Sequence, residues 1–201
     1  IDISKVFNYN LILIVLLFLC GCASLKINNQ MHSQTDLDST YLEALDWTDP
    51  SNFTIPSEGS SEEQVLLDGI EQLFTNYTFD NLSERLKSVY ADRIYFRDAF
   101  KSFSDSDALL AYMLHGVEAV DAVEFQFNHI MRSKDEFFVE WTMRLRFKGK
   151  DAFESSIGIS RFRFNSEGQV IFHQDYWDPT TLIYKKIPIA KQLIRFVQGR
   201  M

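Results

Sequence analysis

The sequence predicts an α+β domain, and three observations carry that prediction. Apolar residues recur at helical spacing in two stretches after Ser60, in a third after Ser104 and again at the C-terminus. Between about residues 122 and 178 the period changes to two, in four successive runs. Those runs are joined by short polar turns such as Ser133-Lys134-Asp135 and Asn165-Ser166-Glu167-Gly168, the mark of antiparallel hairpins. The order helix, helix, strand, helix, four-strand meander, helix segregates the helices onto one face of a curved antiparallel sheet, which they fill as a cone with an apolar interior.

Ser60-Ser61-Glu62-Glu63 puts acids into a first helical turn, and Val65, Leu66, Ile70, Leu73, Phe74 and Tyr77 then follow one face. A second helix over Asn81 to Tyr90 carries Leu82, Leu86, Val89 and Tyr90. The strand IYFRDAF sets Ile94, Phe96 and Asp98 on one side and Tyr95 and Arg97 on the other. A helix from about Ser106 ends near Gly116, with His115 suited to its negative end. The next strand aligns Val123, Phe125, Phe127 and His129, and its partner aligns Phe137, Val139, Trp141, Met143, Leu145 and Phe147. Arg144, Arg146, Arg161 and Arg163 make a basic stripe on the opposite face, read as ion-paired with Glu124 and Glu140 or as a homodimer interface. The last strand sets His173, Asp175 and Trp177 against Gln174, Tyr176 and Asp178, and alternation alone leaves open which set faces inward. Asp178-Pro179 then reads as a helix start, with Pro188 restarting the helix.

With 201 residues, 46% hydrophobic, the chain suffices for one core, and eighteen Phe suggest an aromatic interior or cavity. The net charge of −8 argues against nucleic-acid binding. Residues 179 to 201 are the exception, with five Lys/Arg and no acid, so the rest carries −13. Ile189, Leu193, Ile194, Phe196 and Val197 form an apolar helix face there, expected to close the end of the cone; lying on anionic lipid headgroups is the alternative.

The apolar run Leu11 to Leu19 has the length of a signal-peptide core. Leu19-Cys20-Gly21-Cys22 resembles a bacterial lipobox, which implies a signal over residues 1–21, a palmitate-bearing lipid anchor on Cys22 and membrane attachment in the cell envelope. Ala23 after that cysteine resembles an outer-membrane sorting residue; an ordinary secretory signal or an uncleaved anchor are the alternatives. Residues 22–60 read as a polar tether, in which Tyr41, Leu42, Leu45 and Trp47 could form a helical turn that docks loosely, and His32 is solvated. The domain proper is expected over 61–201.

YADRIYFRDAF (Tyr90 to Phe100), the Phe164 to Gly168 turn and HQDYWDPTTLIYKKIP (His173 to Pro188) resemble the SnoaL-like branch of the NTF2-like superfamily. The resemblance covers about Ser61 to Met201 and implies a cone-shaped α+β fold. That fold carries isomerases, cyclases, dehydratases and non-catalytic binders, so function must come from the site. Its enzymes commonly hold a carboxylate base in an Asp-Pro pair after the first strand; Asp98 stands at that place, with Ala99 instead of proline.

The resemblance makes Asp98 the candidate base, with Asp175, His129 or Tyr95 as the polar partner that steadies an enolate. An aspartate among apolar neighbours has its pKa raised toward the range that proton abstraction next to a carbonyl needs. Tyr95, Phe127, Trp141, His173 and Trp177 are the candidate wall for a small apolar ligand. His173 and Asp175 lack a third ligand for a metal, and no cofactor is expected. Two functions are consistent with these residues: binding a small apolar molecule or partner at the envelope, and proton transfer on a carbonyl compound.

Overall fold

The two long alternating runs form the central hairpin of the structure, a computed structural model that describes residues 34–75, 81–180 and 182–200. The chain divides into an N-terminal unit, Ile1–Ser39, and a main unit, Thr40–Met201, which holds the whole sheet. The lipobox, His32 and Tyr77 lie outside the described residues. Strand β1 is Tyr90–Arg97, β2 Ser102–Asp105, β3 Val120–Ser133, β4 Glu136–Phe147, β5 Glu154–Phe164 and β6 Val170–Trp177. Helices are α1 Gln34–Trp47, α2 Ser61–Thr75, α3 Leu82–Val89, α4 Ser106–Glu118 and α5 Pro188–Gln198.

The six strands form one curved sheet in the order β2-β1-β6-β5-β4-β3. The meander β3 to β6 is antiparallel as expected, but β1 joins β6 in parallel, so the sheet is mixed. The first and last strands of the chain therefore lie side by side, one strand in from the β2 edge, which brings the end of β1 beside His173 and Gln174. β2 is an additional strand; four residues, SFSD, are too few for a period-two signal. Tyr90, expected on a helix, begins β1.

Local chemistry explains the helix starts. The Ser60 hydroxyl accepts from the Glu63 backbone N–H (3.1 Å), while the Glu63 carboxylate accepts from the Gly59 N–H (2.6 Å). Asp105 Oδ1 caps α4 by accepting from the Ala108 N–H at 2.8 Å. Ile70, Leu73, Leu82 and Leu86 then bury their faces against Ile94, Phe96, Phe137, Val139 and Phe162 on the inner face of the sheet. Gly158 on β5 admits the Trp141 ring over its α-carbon; a Cβ there would stand 2.3 Å from the ring, so only glycine allows this packing.

The outer face is also covered. Helix α1 from Thr40 onward lays Tyr41, Ala44 and Leu45 on Tyr95 and Phe172. Arg163 ties it down by donating to the Leu45 carbonyl (2.9 Å) and the Thr48 hydroxyl (3.0 Å), a cation at a helix C-terminus. Arg161 and Arg163 share Glu136, which sits two residues before Phe138, so their acid is not the expected Glu140. Those two guanidiniums hold the Glu136 carboxyl below its usual value even though burial pushes it up. This part of α1 belongs to the main unit, which begins at Thr40.

The C-terminus departs most from expectation. Asp178 accepts from the Thr180 N–H at 2.8 Å, but the chain then runs through turns and a short 3-10 segment, Tyr184–Lys186. Leu182 and Ile183 from those turns, and not α5, fill the end of the core. No residue of α5 is buried.

Candidate functional site

Alternation on β6 turns His173, Asp175 and Trp177 to the inner face, together with Ile94, Phe96 and Asp98 at the end of β1. Between these strands, α4 and Ile183 lies a cavity of about 310 Å³. Phe74, Phe96, Phe125, Phe127, Trp141 and Phe162 give it an aromatic wall. Among its lining residues Phe100, His115, Gly116 and Ala119 are exposed and mark its mouth. Apart from His115 at the mouth, the polar groups in the lining fall into two sets.

The first set is a hydrogen-bonded chain across four adjacent strands. The Tyr90 hydroxyl meets His173 Nδ1 at 2.7 Å, and His173 Nε2 meets Asp175 Oδ1 at 2.7 Å. Ser160 Oγ donates to the same oxygen at 2.5 Å, and Trp141 Nε1–H donates to Ser160 Oγ at 2.8 Å. With Tyr90 taken as donor, His173 carries its proton on Nε2 and gives it to Asp175; this tautomer is an assignment that satisfies each partner. The ring is wedged between Phe162, stacked at 4.3 Å, and Phe96, edge-on at 5.0 Å. Both bonds to Asp175 fall on Oδ1, and the residue lines the cavity.

The second set is Asp98 with Tyr112. Asp98 Oδ1 accepts from the backbone N–H groups of Phe100 and Lys101, both at 2.7 Å, which fixes the turn after β1. Oδ2 accepts from the Tyr112 hydroxyl of α4 at 2.6 Å. Burial pushes the Asp98 carboxyl above its ordinary value, and the charge of Asp175 adds to that rise. The bonds from Tyr112, Phe100 and Lys101 oppose it without cancelling it. Asp98 therefore both builds a turn and titrates closer to neutrality than an exposed aspartate.

Of the residues singled out from sequence, Asp98, Phe127, Trp141, His173, Asp175 and Trp177 all line this one cavity. Two do not. His129 is exposed, because β3 bulges: Phe127 pairs with Trp141 while His129 pairs with Glu140, so two residues oppose one and the alternation reverses. Tyr95 faces the outer side, stacked on Phe172 at 4.9 Å. Sequence reading passed over Tyr90, Tyr112 and Ser160. Ser160 carried a legible signal, as a hydroxyl between Gly158 and the inward Phe162 and Phe164 on one strand face; Tyr112 on α4 looked like any amphipathic helix position. Among the described residues no three His, Cys, Asp or Glu side chains gather as a metal site would need.

The SnoaL-like domain profile matches residues 70–173, just over half of the 201 residues. The chain belongs to the SnoaL-like family. No curated protein sequence matches it. Solved structures agree on the fold. A candidate SnoaL-like polyketide cyclase from Jannaschia sp. CCS1 is similar over 64% of this chain and 95% of its own, at 12% identity and a TM-score of 0.54. An NTF2-like protein from Burkholderia pseudomallei matches over 62% and 96%, at 11% identity and a TM-score of 0.53. One from Exiguobacterium matches over 56% and 98%, at 16% identity and a TM-score of 0.50. At these identities the likeness speaks for the fold alone, so the function of this SnoaL-like domain rests on its own cavity.

Proposed function

We propose that this SnoaL-like domain takes up a small, largely apolar molecule carrying one or two polar oxygens. The supporting observation is the cavity itself, aromatic-walled and holding two carboxylates of different character. Its 310 Å³ is about twice the ~150 Å³ known to hold benzene in a dry apolar cavity, which suits a molecule of two fused rings. Trp141 and Trp177 in the wall give a direct readout. Titration with 2-tetralone, a bicyclic ketone, is expected to quench their fluorescence saturably, and Val123→Phe, which narrows the cavity, weakens binding about tenfold or more. No saturable quenching by 2-tetralone or any similar bicyclic ketone, or binding untouched by Val123→Phe, contradicts the reading.

Proton transfer next to a carbonyl is the second reading, and one observation favours it: a half-buried Asp98 with a raised pKa in the same cavity as Asp175. A base of this kind removes an α-proton from a ketone seated against the aromatic wall. In that step the C–H pair becomes the enolate, its negative charge moves to the oxygen, and the proton rests on Asp98 Oδ2. Tyr112, bonded to that same oxygen, is the group that must swing aside or shift its proton. The reverse step returns the proton to carbon. Exchange of the α-protons of bound 2-tetralone in D₂O, followed by NMR, is expected to fall about 10²-fold or more in Asp98→Asn. Binding without any enzyme-dependent exchange sinks this second reading and leaves the first standing.

The setting we propose is the bacterial cell envelope, at the outer membrane, through a lipid on Cys22. What supports it is the Leu19-Cys20-Gly21-Cys22 string followed by Ala23. Palmitate labelling of the chain in a bacterial host is expected to survive Cys20→Ser and to vanish with Cys22→Ser; equal labelling of the two variants overturns it.

A further inference from the structure

The C-terminal helix was expected to close the end of the core, and the fold leaves it without that task. Leu182 and Ile183 already fill the position, and α5 packs chiefly on the 3-10 turn that precedes it. Ile189, Leu193, Phe196 and Val197 share one ridge of α5, and each exposes more than half of its surface. Four large apolar side chains in a row on an otherwise well-packed domain call for an occupant.

Charge identifies that occupant. Every charged side chain from Pro179 to Met201 is basic: Lys185, Lys186, Lys191, Arg195 and Arg200. Lys186 is committed to Glu154, whereas Lys191 and Arg195 lie on the polar side of the helix. Arg200 sits with its guanidinium 4.0 Å over the Phe196 ring, at the edge of the apolar ridge. The remaining chain is strongly acidic, so an anionic surface repels the body of the protein and attracts this end alone. Eleven residues give a helix of about 16 Å, roughly half the thickness of a bilayer's hydrocarbon layer. Among the described residues no helix is long and apolar enough to cross a membrane. A short helix with an apolar ridge and a wholly basic charge set has the composition of one that lies in the headgroup layer.

We propose that α5 is a docking helix for an anionic lipid surface. Ile189, Leu193, Phe196 and Val197 enter the interface between headgroups and acyl chains, and Lys191, Arg195 and Arg200 pair with lipid phosphates. The inference rests on α5 alone and holds whether or not Cys22 carries a lipid. Docking here also gives the domain a fixed orientation, because Ile183, a few residues before α5, is part of the cavity lining.

A local probe tests this without interference from the N-terminal apolar run. The full chain carrying Cys20→Ser and Cys22→Ser receives Val197→Cys, labelled with the environment-sensitive dye NBD. A second chain carries the label through Ser155→Cys, at an exposed position of β5. Vesicles of phosphatidylcholine with a third phosphatidylglycerol should blue-shift and brighten the label on α5 and leave the one on β5 unchanged. Pure phosphatidylcholine vesicles should need on the order of tenfold more lipid for the same change, and Lys191→Glu with Arg195→Glu should impose a similar loss on anionic vesicles. No response of the α5 label to anionic vesicles overturns the proposal. So does a blue shift that grows with protein concentration in the absence of lipid, which would give the ridge to a second copy of the chain.

Discussion

The hydrogen-bonded chain Tyr90–His173–Asp175–Ser160–Trp141 is the constraint on which the rest of this structure turns. It crosses four adjacent strands, β1, β6, β5 and β4, on the inner face of the sheet. Polar groups in so apolar an interior are tolerable only when each has a partner, since an unsatisfied one costs on the order of 1–3 kcal/mol. The parallel pairing of β1 with β6 supplies the Tyr90–His173 end, and the antiparallel β5–β6 and β4–β5 pairings supply the other. Removal of the His173 ring would take one hydrogen bond from Tyr90 and one from Asp175 together, so a change at this ring is felt on β1 and β6 at once.

That chain also explains why the two carboxylates of the cavity differ. Asp175 accepts two hydrogen bonds on one oxygen and lines the cavity. Asp98 is held by backbone N–H groups and by Tyr112, yet burial still raises its pKa. A carboxyl raised by burial, in a cavity that also holds a second carboxylate, is an arrangement that acid–base sites use, and the same arrangement serves to orient a bound ketone or alcohol. The SnoaL-like fold supplies the frame common to many chemistries; these side chains, and not the fold, decide what this domain does.

Much of this was legible in the residues, for reasons that can be named. Period-two runs fixed β3 to β6, because each strand buries one face; the three strings beginning YADRIY, FNSEG and HQDYWD pointed to the family. Which face of HQDYWD turns inward was not legible, because both faces offer an aromatic and an acid; the pairing of β6 between β1 and β5 decides it. His129 was misplaced by a one-residue bulge, which no alternation pattern announces in advance. Tyr95 was on the alternate face from Asp98 all along, so its loss from the site comes from the strand period itself. The docking of Tyr41, Leu45 and Trp47 was legible as an apolar turn in a polar stretch, although Leu42 points outward; its anchor Arg163, more than a hundred residues away, was not, because long-range pairings leave no local trace. The amphipathic pattern of α5 was plain, but the same pattern describes a helix that packs inward and one that faces outward.

Asp98 and Asp175 line one cavity, and the charge of Asp175 adds to the rise that burial imposes on Asp98. The most direct measurement is a ¹³C-carboxyl NMR titration of Asp98 in the unmodified protein and in Asp175→Asn. The predicted result is an Asp98 midpoint above the ordinary aspartate range that moves down when the charge at Asp175 is removed. An Asp98 midpoint at the ordinary value, or one indifferent to Asp175→Asn, would contradict it.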